Sequence, residues 1–255
     1  MMELNHITAG YGTKDVVKNV SLCFESGKVT VLVGPNGCGK STLLRVAARL
    51  LEPRQGNVVI DGADTAGWSN REFAKKVALL PQVRPVPEIG VGSLVLHGRF
   101  PYLGYPRRYS TEDRKIAEKA MRQTGVLELS ELSVSQLSGG QRQKVYLAMA
   151  MAQDTPILLL DEPTTYLDIN HQLELAHLAK KLAQRGKEVI MVLHDLNLAL
   201  GCADTIVVMY EGQLMGMGSP QQVYESKVLD RVFGVTSHCV TLDNGQVQYL
   251  FTREC

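Results

Sequence analysis

Short apolar runs alternate with amphipathic segments along the chain, and this alternation predicts its main elements. Five apolar runs have the length of buried strands and lie at Val29 to Val33, Val77 to Leu80, Ile157 to Leu160, Val189 to Leu193 and Thr205 to Met209. Helical patterns lie at Lys40 to Leu50, Thr111 to Thr124, Gly140 to Gln153, Asn170 to Arg185 and Leu196 to Cys202. Strands that alternate with helices are typical of an α/β protein with a mainly parallel sheet covered by helices.

Three other regions depart from this alternation. The first 26 residues and the stretch Asn57 to Asp61 read as antiparallel strands of a small β subdomain. Five of the ten prolines lie between Pro81 and Pro106, mixed with Arg84, Arg99, Arg107 and Arg108, which predicts an irregular, exposed segment before the helix at Thr111. The turn Asp243-Asn244-Gly245 predicts a hairpin, so the last 20 residues are expected to form a β appendage.

Composition narrows the class of protein. The 255 residues suffice for one large α/β domain with a small subdomain, but not for two. Because 27 Lys and Arg balance 26 Asp and Glu, charge gives no indication of nucleic-acid binding. The five cysteines form no Cys-x-x-Cys pair, so we expect neither a disulfide framework nor a zinc site. We expect the chain to lie in a reducing compartment.

The N-terminus and the hydropathy pattern bear on location. The start of the chain lacks a basic stretch followed by an apolar run, and no window approaches 18 uninterrupted apolar residues. We therefore expect a chain that neither crosses a membrane nor is exported. Any role at a membrane would require docking onto another subunit.

A phosphate-binding pattern follows the first apolar run. The sequence Gly34-Pro35-Asn36-Gly37-Cys38-Gly39-Lys40-Ser41 satisfies G-x-x-x-x-G-K-[ST] between a predicted strand and a predicted helix, and Thr42 continues the stretch. Backbone N–H groups at the helix start would face phosphate oxygens. Lys40 would reach the β- and γ-phosphates, and the Ser41 hydroxyl suits Mg²⁺. The alternative is a glycine-rich turn that binds nothing.

Two adjacent carboxylates end the run at Ile157 to Leu160. Neighbouring side chains on a strand point to opposite faces, so Asp161 and Glu162 can serve different purposes. We expect Asp161 to bind Mg²⁺ or its water shell, and Glu162 to act as general base on the water that attacks the γ-phosphate. The alternative is a purely structural strand end.

The segment Leu137-Ser138-Gly139-Gly140-Gln141 separates this chain from other phosphate-binding proteins. It resembles the signature of ABC-type ATPases, and the resemblance extends over nearly the whole chain. The alternative is a serine cap followed by flexible glycines. The resemblance implies a P-loop NTPase core with a mainly parallel sheet, an antiparallel β subdomain and an α-helical subdomain. The implied boundaries are 1–84 and 155–235 for the RecA-like core with its β subdomain, 85–154 for the helical subdomain and 236–255 for the appendage.

The same resemblance implies a role for further residues. It implies a head-to-tail pair in which Ser138 to Gln141 of one copy close over the ATP of the other. Tyr11 resembles the aromatic that stacks on adenine, Gln82 the glutamine that contacts Mg²⁺ or its water, and His194 the histidine that contacts the γ-phosphate. The alternatives are a surface tyrosine, a loop amide and a packing or capping histidine.

At two positions in these motifs, Tyr166 and Cys38, ATP hydrolysis does not depend on the side chain that is present. Asp168 lies where the family places a loop that touches the opposite subunit, but Tyr166 replaces the usual small residue before Leu167. Cys38 lies inside the phosphate-binding pattern, where a helix N-terminus could activate its thiol. The alternative is an inert cysteine that the position tolerates.

A longer segment indicates the kind of ABC protein. The run from Leu96 to Gly104, with Ser110 to Asp113, is similar to importers of ferric siderophores, haem and vitamin B12. This implies ATP and Mg²⁺ as cofactors, a membrane permease docked after Gln82, an indirect substrate-binding protein, no nucleic acid, and a place on the cytoplasmic face of the inner membrane. The bland alternative for the segment is an exposed linker.

Other functions for the chain stay open at this stage. They are a soluble non-transport ABC ATPase, an exporter motor and a silent regulatory cassette. The presence of Lys40, Asp161, Glu162 and His194 argues against the silent cassette. Leu137 follows Lys40 by only 97 positions, which leaves no room for the coiled-coil arms of DNA-repair proteins.

Overall fold

A computed structural model describes residues 1–82, 86–243, 245 and 247–253. Arg84 and Asn244, named above, and Cys255, one of the five cysteines, lie outside this part of the chain. The chain divides into two compact units: the first combines Met1–Ala66 with Ala179–Cys255, and the second is Gly67–Leu178. In the described residues, no helix combines the length and the hydropathy needed to cross a membrane.

The element order follows the predicted alternation. The strands are β1 Met2–Tyr11, β2 Lys14–Phe24, β3 Val29–Val33, β4 Gln55–Ile60, β5 Ala63–Asp64, β6 Val77–Leu80, β7 Ile157–Asp161, β8 Glu188–Val192, β9 Thr205–Tyr210, β10 Gln213–Gly218, β11 Thr236–Thr241 and β12 Val247–Thr252. The α-helices are α1 Lys40–Ala47, α2 Asn70–Ala74, α3 Val91–His97, α4 Thr111–Gln123, α5 Gly139–Ala152, α6 Ile169–Gln184, α7 Leu196–Cys202, α8 Pro220–Glu225 and α9 Val228–Phe233.

The first unit contains an antiparallel sheet and a set of mainly parallel strands, besides the C-terminal hairpin described below. One sheet has the order β2-β1-β4-β5 and is antiparallel throughout, which confirms the predicted β subdomain. In the other, β3 pairs in parallel with β8 and with β9, and β10 joins β9 as an antiparallel edge strand. Every residue of β3 and of β8 is buried, as expected for parallel strands covered on both faces.

The second unit combines a parallel strand pair with helices. Strands β6 and β7 pair in parallel, and α3, α4 and α5 pack against one another, with α5 also against β6. Gly98 ends α3 where a Cβ atom would lie 2.3 Å from the backbone oxygen of Met149. A side chain at this position would therefore push α3 away from α5.

The prediction of an irregular, exposed segment between Pro81 and Pro106 is wrong for the middle of that segment, which is a helix. Residues Val91–His97 form α3, whose Val91, Leu94 and Val95 are buried on one face. The prolines lie on either side of this helix and none lies inside it, so they do not oppose it. Arg99, expected in the exposed segment, is only 6% exposed.

The C-terminal hairpin is confirmed. Strand β11 pairs antiparallel with β12, from Thr236 opposite Thr252 to Thr241 opposite Val247. Tyr249 of β12 is buried, and its ring centre lies 5.2 Å from that of Tyr224 on α8. The hairpin therefore packs on α8 through this aromatic pair.

Candidate functional site

A tight loop joins β3 to α1 and forms the candidate phosphate cradle. Gly34 approaches the backbone of β9 so closely that a Cβ atom would lie 2.2 Å from the oxygen of Met209. Gly39 caps α1 with a φ of 108°, a conformation that other residues rarely adopt. Both positions therefore require glycine, and the pattern of the sequence follows from the path of the loop.

The Lys40 side chain fills the inside of this loop. It is 5% exposed, and its Nζ donates to the carbonyl oxygen of Gly34 at 2.7 Å and to that of Pro35 at 3.0 Å. The Sγ of Cys38, itself 4% exposed, lies 3.8 Å from the same Nζ. The burial of Cys38 favours the inert alternative for its thiol.

The start of α1 suits an anion. Gly39 offers no side chain that caps the helix, and the first turn carries no acidic residue. Ser41 is half-buried and Thr42 is buried on that turn, whereas Asn36 and Gly37 are exposed at the tip of the loop. Amide groups and a helix dipole at this end, together with the Lys40 ammonium, would stabilise phosphate oxygens.

His194 lies at the same sheet edge as the cradle. Leu32 of β3 pairs with Val192 of β8, and Gly34 and His194 each follow two residues later. Because the strands are parallel, both chains leave the sheet side by side. Asp195 accepts hydrogen bonds from the N–H groups of Asn197 at 2.8 Å and Leu198 at 3.1 Å, so it caps α7 and fixes the turn that carries the exposed His194.

Tyr11 ends β1 in the same unit. Its ring is 48% exposed, and its hydroxyl accepts a hydrogen bond of 3.0 Å from Nη1 of Arg45 on α1. The hydrogen bond holds the tyrosine while much of the ring surface stays accessible. Such a ring can stack on a planar base.

In the second unit, the predicted acidic residues lie where β7 ends. Asp161 is 3% exposed, and Glu162 is half-buried with a left-handed φ of 50°. Leu80 of β6 pairs with Leu160 of β7, so Gln82 and Glu162 each lie two residues beyond the pair at one sheet edge. Gln82 itself is exposed.

The signature segment, Leu137 to Gln141, begins α5. Ser138 is the N-cap: its Oγ accepts from the N–H of Gln141 at 3.3 Å, and its own N–H donates to Oε1 of Gln141 at 2.9 Å. The predicted serine cap is thus present. It leaves the N–H groups of Gly139 and Gly140 pointing out of the first helical turn.

The loop after Glu162 lies against this turn. Tyr166 has a left-handed φ of 67° and is 79% exposed, and its Cβ lies 3.5 Å from where a side chain on Gly139 would begin. Asp168 caps α6 by accepting from the N–H of His171 at 2.9 Å, and this hydrogen bond lowers the pKa of the Asp168 carboxyl. Within the second unit, Tyr166 is therefore a neighbour of the signature segment.

Sequence reasoning missed several residues that support the site. The side chain of Gln143, on α5, donates to the carbonyl oxygen of Pro163 at 2.5 Å. This hydrogen bond holds α5 against the loop that follows Glu162. Arg45 holds Tyr11. Arg99, which contacts none of the site residues that the structure describes, lies buried at the C-terminal end of α5. Gln143 follows Gly140 by three residues, so helical spacing could have placed it on the same side of α5 as the signature segment. Its partner, Pro163, is 20 residues away in the chain, and the spacing gives no sign of that contact.

The residues predicted to bind Mg²⁺ carry donor atoms of the kind that this ion prefers. The hydroxyl of Ser41, the amide oxygen of Gln82 and the carboxylate of Asp161 are hard oxygen donors. Among the residues that the structure describes, no group of three or more His, Cys, Asp or Glu could hold a metal ion.

Comparison with known sequences gives consistent matches. A family model for the ABC transporter domain matches residues 17–165. The achromobactin transport ATP-binding protein of Dickeya dadantii is 44% identical over 92% of this chain and 88% of its own length. The ferric enterobactin transport ATP-binding protein of Escherichia coli is 40% identical over 93% and 88%. The hemin import ATP-binding protein of Thermobifida fusca is 38% identical over 89% and 80%.

Solved structures agree on the fold. A bacterial ABC transporter cassette solved as a dimer superimposes with a TM-score of 0.77 at 30% identity, covering 86% of this chain and 99% of the cassette. An ABC transporter in an inward-facing conformation gives a TM-score of 0.83 at 23% identity, covering 98% of this chain and 96% of that one, and at this identity shows the fold alone. The α/β fold with a mainly parallel sheet is confirmed.

Proposed function

This chain belongs to the ABC transporter family, and on that premise we propose that it is the ATP-hydrolysing subunit of an ABC importer. The observation that carries the proposal is the cradle after β3, where Lys40 is held inside a loop closed by Gly34 and Gly39. An ammonium and a helix N-terminus at one place form a site that favours a phosphate group.

Binding of ATP by this cradle exchanges one set of contacts for another. The Lys40 ammonium gives up the carbonyl oxygens of Gly34 and Pro35 for the β- and γ-phosphate oxygens. The residues Gly34 to Thr42 surround the phosphates, and the exposed ring of Tyr11 stacks on adenine. A charged partner in place of neutral carbonyls makes the exchange favourable.

Hydrolysis requires a positioned water. We assign Glu162 as the general base that takes the proton of the water, and His194 as a contact to the γ-phosphate. Lys40 balances the charge that develops on the γ-phosphate oxygens. Mg²⁺, held by Ser41, Gln82 and Asp161, would supply further charge neutralisation at the phosphates.

A second copy of the chain completes the working unit in this proposal. The signature segment presents the N–H groups of Gly139 and Gly140 at a helix start, which is a second anion-binding surface. One ATP does not need both surfaces of one chain. We therefore propose a head-to-tail pair in which Ser138 to Gln141 contact the nucleotide bound by the partner, and Asp168 lies near the contact.

The cargo and the membrane partner are inferred from the relatives. Those named above are ATP-binding proteins for achromobactin, ferric enterobactin and hemin transport, which supports a ferric siderophore or haem substrate. We propose a ferric siderophore, haem or cobalamin type substrate, the last on the resemblance of Leu96 to Gly104 alone, with iron chelates ranked first. Transport then requires permease subunits and, indirectly, a substrate-binding protein. The chain would lie on the cytoplasmic face of the inner membrane, bound to the permease, and would not contact nucleic acid.

Reconstitution tests this function. The chain and its permease, purified as a complex and placed in proteoliposomes, should take up a ferric siderophore only with ATP present. The Glu162→Gln complex should bind ATP, form a trapped dimer of ATPase subunits and lose nearly all turnover, whereas Glu131→Gln, on the surface, should behave as the wild type. Near-normal hydrolysis by Glu162→Gln, or copurification with soluble partners only, would contradict the proposal.

A further inference from the structure

A buried guanidinium lies at the C-terminal end of α5 and takes no part in the proposed hydrolysis. Arg99 follows α3 and precedes the 3-10 turn Phe100–Tyr102. Its side chain is only 8% exposed. An arginine side chain is almost never buried without a partner. The contacts of this side chain therefore explain why it is there.

Arg99 joins two helices that are distant in the chain. Its Nε donates to Oδ1 of Asp113 at 2.9 Å, in the first turn of α4. Its Nη1 donates to the carbonyl oxygens of Ala152 at 3.1 Å and Gln153 at 3.3 Å, where α5 ends. The planar guanidinium supplies donors in the two directions that these partners require.

The acceptor Asp113 is itself held. Its Oδ2 accepts from the N–H of Ser110 at 2.9 Å and from the hydroxyl of Ser110 at 2.7 Å, which forms the capping box of α4. Burial would raise the pKa of Asp113, but the hydrogen bonds from Ser110 and the guanidinium of Arg99 outweigh it and lower the pKa. The two charges form a buried ion pair in which both partners are fixed.

The segment after Arg99 is clamped on its inner side. The ring of Tyr102 lies 3.9 Å from the Arg99 guanidinium carbon. From α2, Arg71 donates through Nε to the oxygen of Pro101 at 2.9 Å and through Nη2 to that of Leu103 at 2.7 Å. The segment 100–103 thus has little freedom to move independently of α2, α4 and α5.

The outer side of the same segment is exposed and aromatic. Phe100 is 50% exposed, Tyr105 is 100% exposed, and the guanidinium of Arg107 lies 4.9 Å from the Phe100 ring. Aromatic and arginine side chains are enriched at the centres of protein interfaces. We call residues 100–107 the outer segment. It offers anchors to a partner while its base is bonded to Arg99.

The C-terminal end of α5, which Arg99 holds, is opposite to its functional end. The helix has 14 residues, so it is about 21 Å long. Ser138 lies at its start, and Ala152 and Gln153 lie at its end. A stiff helix gripped at one end carries a displacement to the other.

We propose that Arg99 is a positioning residue that passes movement of the outer segment to the signature segment through α5. The proposal rests on the function proposed above, because the partner that moves the outer segment is the permease. Arg99 takes no part in the chemistry. It decides whether a partner bound at residues 100–107 changes the position of Ser138, Gly139 and Gly140.

A purely structural role makes a different prediction. If Arg99 only stabilises the second unit, its replacement lowers the activity of the isolated subunit and of the complex by the same factor. If it couples the outer segment to α5, the isolated subunit keeps its activity and the response to the permease is lost. The ratio of the two activities separates the alternatives.

The experiment measures ATP hydrolysis by the isolated subunit and by its permease complex in proteoliposomes. Arg99→Lys keeps the charge, but one ammonium cannot serve Asp113 and both α5 carbonyls in the geometry of the fork. Arg122→Lys, on the exposed face of α4, is the matched control. We expect Arg99→Lys to keep kcat and KM of the isolated subunit within about twofold, and to lower the stimulation by the permease at least about fivefold.

Three results would overturn the inference. They are an unchanged stimulation ratio in Arg99→Lys, an equal loss in the isolated subunit and the complex, and an equal change in Arg122→Lys. If Arg99→Lys does not fold, Tyr102→Leu removes only the ring beside the guanidinium, and the same ratio must fall. A wild-type complex without ATP-driven activity would instead overturn the proposed function, and this inference with it.

Discussion

The Lys40 ammonium lies 2.7 Å from the carbonyl oxygen of Gly34, so the lysine of the cradle is bonded to the first residue of the cradle itself. The loop is thus closed around a positive charge. The partners of this charge are carbonyl dipoles, which a phosphate can replace at little cost.

Lys40→Met should separate ligand binding from folding. The change removes the charge but keeps an unbranched, apolar side chain in the buried loop, so the free energy of unfolding should change by no more than about 2 kcal/mol. The affinity for ATP should fall at least about 100-fold, because the phosphates lose their only lysine partner in the cradle. Titration calorimetry measures both variants, with the exposed Lys181→Met as control. Unchanged affinity in Lys40→Met would show that the lysine does not face the nucleotide.

Backbone strain at Tyr166 gives a second prediction. At a φ of 67°, an alanine is strained but a glycine is not. Tyr166→Gly should therefore be more stable than Tyr166→Ala by about 1 kcal/mol in urea unfolding. The order should reverse at Leu173, which is also exposed but lies inside α6, where glycine costs about 1 kcal/mol relative to alanine. The same order at both positions would argue against strain at Tyr166.

Glu188 gives the chain a pH-dependent stability. The carboxylate begins β8, is buried, and accepts the N–H of Met2 at 3.1 Å and 3.2 Å. Burial raises its pKa from 4.5 to about 7, although the Met1 ammonium and the Met2 N–H partly offset the effect. The folded state therefore binds a proton that the unfolded state has released, and stability falls as the pH rises from 4.5 to about 7.

Glu188→Gln tests this sign. A neutral amide keeps an acceptor for Met2 and removes the cost of the buried charge, so the variant should be more stable than the wild type by about 2 kcal/mol at pH 8. At pH 5 the wild-type carboxyl is protonated in the fold, and the difference should be small. Urea unfolding at the two pH values, with the exposed Glu131→Gln as control, measures the effect. A gain at pH 5 that equals the gain at pH 8 would rule out titration of Glu188.

Contact between α3 and α5 depends on Gly98. A Cβ atom there would lie 2.3 Å from the Met149 oxygen and 3.1 Å from the Gln153 nitrogen, both of them backbone atoms. Gly98→Ala should therefore lower the free energy of unfolding by about 2 kcal/mol or more. Gly104→Ala, with no atom within 4 Å of the added carbon, should change it by less than about 0.5 kcal/mol. Similar unfolding curves for the two variants would mean that the helices can separate freely.

The sequence predicted the elements whose pattern is local. The predicted bounds of β3, β6 and α7 agree with the structure, because an apolar run or a helical spacing defines each of them. The helix at Lys40 ends at Ala47 rather than Leu50, since Arg49 takes a left-handed φ of 55°. Helices α8 and α9 were not predicted, and each spans only six residues.

The contacts that support the site could not be predicted from local sequence patterns. The motifs placed Asp161, Glu162 and His194 at strand ends and Lys40 at the start of a helix. In the structure Asp161 is the last residue of β7, Glu162 and His194 closely follow β7 and β8, and Lys40 begins α1. Arg99 was placed in an exposed segment because prolines surround it, whereas its partners are 14 and 53 residues away in the chain. Only a folded chain brings such groups together, so one sequence does not reveal them.

The length of α5 has a consequence for how this chain can vary. An inserted residue turns everything beyond it by about 100° around the helix axis and shifts it by about 1.5 Å. Because Ser138 lies at one end and the carbonyl groups bonded to Arg99 lie at the other, such an insertion would break the register of one end. Natural or laboratory variants should therefore not tolerate insertions or deletions within α5.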